Sequence, residues 1–598
     1  MKILKQIYFI IFIIFSILFS NFIASKINIS LEFNSIVGEY SKNDYHPIND
    51  FLKFIVYIFL PLIAFITAKF YLDNKVFDNF FSNLNLKTKI YSFDVYIYIY
   101  FLTIIFLIII ELLSVQFPLN TIDFFHEGQK LSAAYKSKID SSLWSGSYVV
   151  VGIIYEILNT KLAWQITGQE TIGSVRFLDL MYIFITKILL VVLAFQITKF
   201  INLSNNLKNF FFLIFSILLT QQIDYNIFSS DTISSREIPV ILVLIFFFKS
   251  VTFSRLYLPL ISLIIITSFF WSIDRALVLT LFSFFIYLYL LFNKRYLDIS
   301  ILLFSKFFFI FVFILFFDKE FNYFLLNTLN VFKEHTYVNG LIHPDLFTNE
   351  KNSFRATKNI IAIILSLIIS INLFFYNQSK FNSNLRMILI SLSAISFLSY
   401  LYSIGRSDGP HLKQSFGFSY VFFSLYILHF FLSKADRYLK FKNNTNIFFM
   451  ISLFVILIFH IKAFNFSNII NFNERFKNFV SYSDDKFIDS KDNIFIKRSY
   501  RLFKNEKCIQ LLTNDAALHY LIKKKHCSKY YFTYTIGSDI NQKRFISEIH
   551  NTNYIILGGK TDNWSLSIEE KYPIIFDYFT SNFSLYESFS DRQIFIRN

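Results

Sequence analysis

The sequence predicts a polytopic α-helical membrane protein of about thirteen transmembrane helices, followed by a small C-terminal extracytoplasmic α/β domain. Three observations predict it. Of 598 residues, 55% are hydrophobic and only 16% are charged, whereas soluble domains carry roughly 25% charged residues. Apolar stretches recur at about the length that a helix needs to cross ~30 Å of hydrocarbon. Lys and Arg sit mainly in the short segments between those stretches, as a topology signal requires. The net charge of +16 would suggest nucleic acid only if it formed a patch. It is dispersed, so no nucleic-acid partner is expected. The 82 Phe and 36 Tyr, with abundant Ile, Lys and Asn, read as the codon bias of an AT-rich bacterial genome, and most of them carry no chemistry.

The candidate spans are 6–24, 52–71, 94–115, 176–199, 208–223, 237–252, 256–271, 277–293, 298–317, 358–376, 385–403, 415–433 and 447–465. The first is read as an anchor: its apolar run exceeds that of a signal peptide, and no small-residue cleavage site follows. With the N-terminus cytoplasmic and strict alternation, every inner segment holds at least two basic residues, as at Lys199 and Lys208, Lys249 and Arg255, Lys294 and Arg295, and Lys434 and Arg437. This is the positive-inside rule. The expected setting is a bacterial inner membrane. Residues 1–465 form the transmembrane domain and 466–598 a periplasmic or extracellular domain. Outer loops fall at 116–175, 224–236, 318–357 and 404–414. Within the spans, Asp179 and Lys187 are the polar exceptions, and Lys187 is expected to snorkel or pair.

The loop 116–175 is the most informative. Asp123 follows the third span closely, then His126 and Glu127. At i and i+4, Asp123 and Glu127 share a face if the segment is helical. Two carboxylates at a membrane surface can bind a divalent cation such as Mg or Mn, or accept a proton from a hydroxyl. Solvated loop acids, or a helix N-cap, explain the same pair equally well. Gly128 then allows a turn. Residues 143–166 mix apolar runs with Trp144, Tyr148, Tyr155 and Trp164, which predicts interfacial helices with their rings at headgroup depth.

The other outer loops supply charged partners. Loop 224–236 and its edge carry Asp224, Asp231, Arg236 and Glu237, and the turn after the seventh span carries Asp274 and Arg275. An Asp274–Arg275 ion pair is the simpler reading there. Loop 318–357 holds Glu334, His335, His343 and Asp345. The turn Gly405-Arg406-Ser407-Asp408-Gly409-Pro410-His411 is short and dense in charge. Arginine suits phosphate because its planar fork donates two parallel, charge-assisted hydrogen bonds. The glycines allow the backbone to approach closely. No H-x-x-x-H or C-x-x-C spacing is present, so a dedicated zinc site is not expected. Cys508 and Cys527, the only cysteines, fit either a disulfide or two buried thiols.

In the terminal domain, strand-like runs at 507–513, 529–534, 553–558 and 592–597 alternate with helical patterns at 515–524, 540–550 and 566–580. The alternation predicts a small sheet with βαβ crossovers. Within this domain neither a G-x-G-x-x-G nor a G-x-S-x-G is present, so neither a dinucleotide site nor that type of hydrolase is expected of it.

The segments Asp123-Phe-Phe-His126-Glu127-Gly128, Leu143-Trp144-Ser145-Gly146-Ser147-Tyr148 and Gly405 to His411, with the α/β tail, give the chain its resemblance to the GT-C superfamily of membrane glycosyltransferases. The resemblance implies transfer of a sugar from a polyprenyl-phosphate or polyprenyl-diphosphate lipid to a lipid, glycan or protein acceptor on the outer side. It implies Asp123 as the essential acid with Glu127 as second acid, and inversion at the anomeric carbon. It implies substrate contacts from His126, Arg236, Arg275, Arg406, Asp408 and His411, and no certain cofactor beyond the cation named above. The family often shows D-x-D, D-D or E-x-D, and here the two acids are spaced more widely. The rival classes are a lipid or polysaccharide transporter or flippase, and a surface-polysaccharide polymerase or ligase. Transporters commonly use broken helices with binding groups at the midplane. Here the glycines and polar groups gather in the outer loops and tail instead.

Overall fold

Twelve of the thirteen apolar stretches fall on helices in the computed structural model. It describes residues 2–29, 36–40, 47–72, 94–228, 231–252, 255–375, 383–439, 451, 454, 464–562, 566–589 and 591–598. The thirteenth stretch, 447–465, lies almost wholly outside the described residues. The helices are α1 (Lys2–Ala24), α2 (Pro47–Leu72), α3 (Val95–Ser114), α4 (His126–Asp140), α5 (Asn159–Thr167), α6 (Ile172–Thr198), α7 (Asn205–Thr220), α8 (Ile238–Thr252), α9 (Tyr257–Trp271), α10 (Ile273–Phe292), α11 (Tyr296–Phe317), α12 (Lys319–Val338), α13 (Ser353–Phe375), α14 (Ser383–Tyr400), α15 (Gly409–Gln414) and α16 (Gly417–Leu439). Among the described residues, eight helices are long and apolar enough to cross a membrane, and α7 and α9 are shorter apolar helices. The chain is a multi-pass membrane protein. Helices are the expected solution there, because hydrocarbon offers no partners to unpaired backbone groups.

The spans pack according to where their apolar residues fall. Ile104, Ile108, Leu190, Ala194, Phe211, Phe215, Leu244 and Phe248 form one core across α3, α6, α7 and α8. Phe54, Tyr57, Ile360, Ile363 and Tyr400 form a second core, joining α2, α13 and α14. By contrast, α11 leaves Phe304, Phe307, Phe311 and Phe316 exposed, as a lipid-facing helix does. Lys187 is buried and pairs with Glu111 at 3.0 Å, and Asp179 takes Lys130 at 2.8 Å. The two polar residues singled out in the sequence are therefore paired, Lys187 with an acid that itself lies in α3.

Loop 116–175 is largely helical. Gly128 lies inside α4 rather than in a turn, because that face packs directly on the terminal domain. A Cβ there would sit 2.3 Å from the Ala517 amide nitrogen. A π-helical turn, Ile154–Leu158, leads into α5. The aromatic rings of this region serve the protein core rather than the headgroups. Trp144 lies among Phe270, Phe317 and Phe324. Tyr148 stacks on Tyr530, and Trp164 stacks on Tyr520. Half of loop 318–357 is α12, whose buried Glu334 accepts from Ser538 Oγ at 2.6 Å and Asn541 Nδ2 at 2.7 Å.

The terminal domain contains α17 (Phe472–Ser481), α18 (Ser490–Leu502), α19 (Asp539–Glu548) and α20 (Pro573–Asn582), with strands β1 (Gln510–Leu512), β2 (Tyr554–Leu557), β3 (Phe583–Phe589) and β4 (Arg592–Arg597). The sheet order is β1-β2-β4-β3. β1 and β2 are parallel across one crossover, whereas β2–β4 and β3–β4 are antiparallel. The run 529–534 is not a strand. Tyr530, Tyr531 and Phe532 pack as a buried aromatic layer instead. β3 replaces it in the sheet, as a largely exposed edge strand. Cys508 and Cys527 form a disulfide with Cα atoms 5.1 Å apart.

The domain sits on the end of the helices where α4, α12 and the turn before α15 meet. Ala517 N–H donates to the Phe124 carbonyl at 3.0 Å, Tyr148 N–H to Lys529 at 2.9 Å, and Val37 N–H to Gly537 at 3.0 Å. Replacing Gly128 by Ala should destabilise the protein by about 1–3 kcal/mol through overpacking. A fall in the detergent melting temperature, with membrane insertion unchanged, is the expected measurement.

Candidate active site

Asp123 begins one wall of a cavity of about 560 Å³ that is also lined by His126, Tyr155, Arg236, Tyr402, Arg406, Asp408, His411 and Tyr534. Its far wall is apolar, with Ile183 from α6, Leu277, Val278 and Leu281 from α10, and Phe332 from α12. Polar groups from four separate segments thus face one space that continues into hydrocarbon-facing helices.

The Asp123 turn is held from behind. Arg176, fully buried near the start of α6, donates from Nε to Glu127 Oε1 at 2.7 Å and from Nη2 to Oε2 at 2.8 Å. Its Nη1 also reaches the carbonyls of Pro118 at 3.0 Å and Asn120 at 2.8 Å. Glu127 Oε2 accepts the Asp123 N–H at 2.9 Å. The second acid of the sequence motif is therefore engaged in an internal ion pair that shapes the turn. Arg176 escaped the sequence reading, although an ionisable residue at the head of a span is itself a signal.

Asp123 caps α4. Its Oδ1 accepts from the N–H groups of Phe125 and His126, both at 2.9 Å, and its Oδ2 pairs with His126 Nδ1 at 2.8 Å. Burial pushes its carboxyl upward, but the bonds from His126 and the backbone outweigh that and hold it below the ordinary range. The turn after α14 repeats the pattern. Asp408 Oδ1 accepts the His411 N–H at 3.0 Å and pairs with His411 Nδ1 at 2.6 Å. Gly405, at φ +77°, turns the chain there, and its carbonyl accepts from Leu341 at 3.2 Å.

Two guanidiniums face the cavity without a carboxylate at ion-pair distance among the described residues. Arg236, half-buried, donates to the Tyr402 hydroxyl at 3.2 Å and lies 4.8 Å over the Tyr155 ring. Arg406, also half-buried, reaches the Tyr534 hydroxyl at 3.5 Å, and its Nε has no hydrogen-bond partner among the described residues. Arg275 behaves differently. It is buried behind Tyr402, at 2.5 Å from Glu237 and 3.5 Å from Asp274. Two carboxylates balance its charge, Asp274 among them as the ion-pair reading expected, and its side chain does not line the cavity. His343 lies elsewhere, hydrogen-bonded to Tyr400 at 2.6 Å, and the side chain of His335 is outside the described residues. Tyr402 and Tyr534 escaped the sequence reading, and Tyr155 was read only as an interfacial ring, because aromatic residues make up 20% of the chain.

No group of three or more His, Cys, Asp or Glu side chains converges to hold a metal among the described residues. Both oxygens of Asp123 and of Glu127 already accept protein donors. This donor set does not fit a divalent-cation cage.

Fold and cavity together define a multi-pass helical membrane protein with a charged pocket at one end of its helices. No family model matches the chain, and no curated protein matches it. Among solved structures it is similar to ArnT from Cupriavidus metallidurans. With the apo state the TM-score is 0.37 at 9% identity, and with the form bound to undecaprenyl phosphate 0.36 at 9%. Each comparison covers 83% of this chain and 97% of the other.

Replacing Arg176 by Ala leaves Glu127 buried and unpaired, and should cost about 3–5 kcal/mol, read as a lower melting temperature. A second prediction concerns Glu156, which is buried and accepts from Val150 at 2.9 Å and from the Tyr531 hydroxyl at 2.8 Å. Burial raises its carboxyl to about 7. The folded state therefore holds this proton more tightly than the unfolded chain. The associated stability is present at low pH and is lost as pH rises from the usual glutamate range through 7. Melting curves over that window should slope downward, and Glu156→Gln should remove this component.

Proposed function

We propose that this protein is a membrane glycosyltransferase that moves a sugar from a polyprenyl-phosphate or polyprenyl-diphosphate lipid to an acceptor hydroxyl. The observation that carries the reading is the pairing, in one cavity, of two guanidiniums lacking carboxylate partners with a carboxylate–imidazole pair, beside an apolar wall. The guanidiniums Arg236 and Arg406 suit a phosphate by charge and by their fork of donors. The apolar residues of α6, α10 and α12 suit a prenyl chain that arrives laterally from the bilayer.

In this reading Arg406 and Arg236 hold the donor phosphate, and their charge stabilises it as it leaves. Asp123, in the same cavity, either takes the proton of the acceptor hydroxyl or orients the group that does. Attack from the side opposite the phosphate inverts the anomeric carbon. The terminal domain contributes Tyr534 to the pocket and gives it a wall toward the aqueous side. Charge distribution along the sequence supports a bacterial plasma membrane with this face outward.

The test is transfer from a panel of polyprenyl-phosphate sugars by the purified full-length protein. Asp123→Asn should abolish transfer while insertion stays unchanged and the protein remains folded, with at most a modest fall in melting temperature from the weakened bonds to His126 and the backbone. Arg406→Ala should lower kcat/KM for the donor by about 10²–10³-fold, the usual cost of removing one charge-stabilising donor. Full activity in Asp123→Asn removes Asp123 from the mechanism.

A further inference from the structure

We infer that His126 is the group that accepts the acceptor's proton, and that Asp123 is its positioning residue. The inference rests on the glycosyl-transfer reading above and assigns a role within it.

The geometry of Asp123 points inward. Its Oδ1 is occupied by two backbone N–H groups and its Oδ2 by His126 Nδ1 at 2.8 Å. A carboxylate with three donors on it is a weakened base. It is also the less accessible of the two, its side chain 36% exposed against 70% for His126.

The same hydrogen bond fixes the state of the imidazole. An ionised carboxylate can only accept, so Nδ1 must carry the hydrogen. Neutral His126 then has its lone pair on Nε2, which has no protein partner among the described residues. A carboxylate that holds an imidazole in one tautomer, and stabilises the imidazolium that forms, is the arrangement by which histidine acts as a general base. The Phe125 ring stands edge-on to the imidazole at 4.8 Å and contacts Tyr534 at 5.0 Å. Tyr534 in turn reaches Arg406 at 3.5 Å. A chain of packed rings therefore sets the spacing between the base and the phosphate-binding guanidinium.

The second Asp–His pair sharpens the assignment. Asp408 and His411 have the same spacing and the same Nδ1 contact, yet the His411 side chain is only 16% exposed and lies beside Arg406. It suits the donor side of the cavity, whereas the exposed His126 suits an incoming acceptor. In the step itself, the acceptor oxygen bonds to the anomeric carbon and gives its proton to His126 Nε2. The bond from that carbon to the phosphate oxygen breaks, and its electron pair leaves with the phosphate. The imidazolium, balanced by Asp123, later returns the proton to water.

The experiment uses full-length protein and undecaprenyl phosphate carrying a radiolabelled hexose or pentose, with total membrane lipid as acceptor. His126→Gly should lose kcat by about 10²–10⁴-fold, the usual contribution of general base catalysis, while KM for the donor stays within about twofold. Added imidazole should restore at least about a tenth of the loss on a logarithmic scale in His126→Gly, and nothing in Asp123→Asn, whose own imidazole is still present. The double variant should be no slower than the worse single one, because the pair acts as a unit. Wild-type turnover by His126→Gly alongside an inactive Asp123→Asn overturns the assignment, as does an inactive His126→Gly that imidazole leaves unchanged. If the wild-type protein itself transfers from no donor in the panel, the glycosyl-transfer reading falls, and this assignment falls with it.

Discussion

The buried fork between Arg176 and Glu127 is the interaction on which the rest of the site depends. An unpaired guanidinium at the head of a span would be costly. This one is matched by a bidentate carboxylate and by loop carbonyls at Pro118 and Asn120. Those bonds pull the chain between α3 and α4 into a fixed course. Glu127 then passes the constraint on, because its Oε2 accepts the Asp123 amide. Asp123 sits where it does because the residue four places on is tied to another helix. A second acid that resembles a catalytic partner in sequence thus serves to place the first.

The two cavity arginines follow a different principle. Arg236 and Arg406 are kept charged and open by aromatic rings rather than by acids. Tyr155, Tyr402 and Tyr534 offer ring faces and hydroxyls that hold a guanidinium without neutralising it. Arg275, a few ångströms behind Tyr402, shows the alternative. Two carboxylates quench it, and it becomes part of the scaffold. The division between these arginines is set by their neighbours and not by their type.

Hydropathy made the spans legible, because burial in lipid selects for long apolar runs whatever the tertiary detail. Asp123, His126, Arg236, Arg406, Asp408 and His411, which line one cavity, were also legible, as polar groups concentrated in loops between the apolar stretches. What the sequence did not carry was long-range pairing. Arg275 has Asp274 beside it in sequence, but its nearer carboxylate, Glu237, comes from another element. The aromatic run 529–534 reads as a strand by propensity, yet tertiary packing makes it a core layer. β3 was missed because an exposed edge strand lacks the alternation that marks a half-buried one. Gly128 suggested a turn, and only the approach of Ala517 explains it inside a helix.

Tyr534 contacts Arg406 from the terminal domain, and this has a consequence for biogenesis. The pocket is assembled from segments made early, midway and late in translation. While the helices are being inserted, Arg406 and the Asp123 turn lack their last neighbour. The pocket is completed only when the tail has folded and docked, so maturation of the tail sets when the protein first becomes competent.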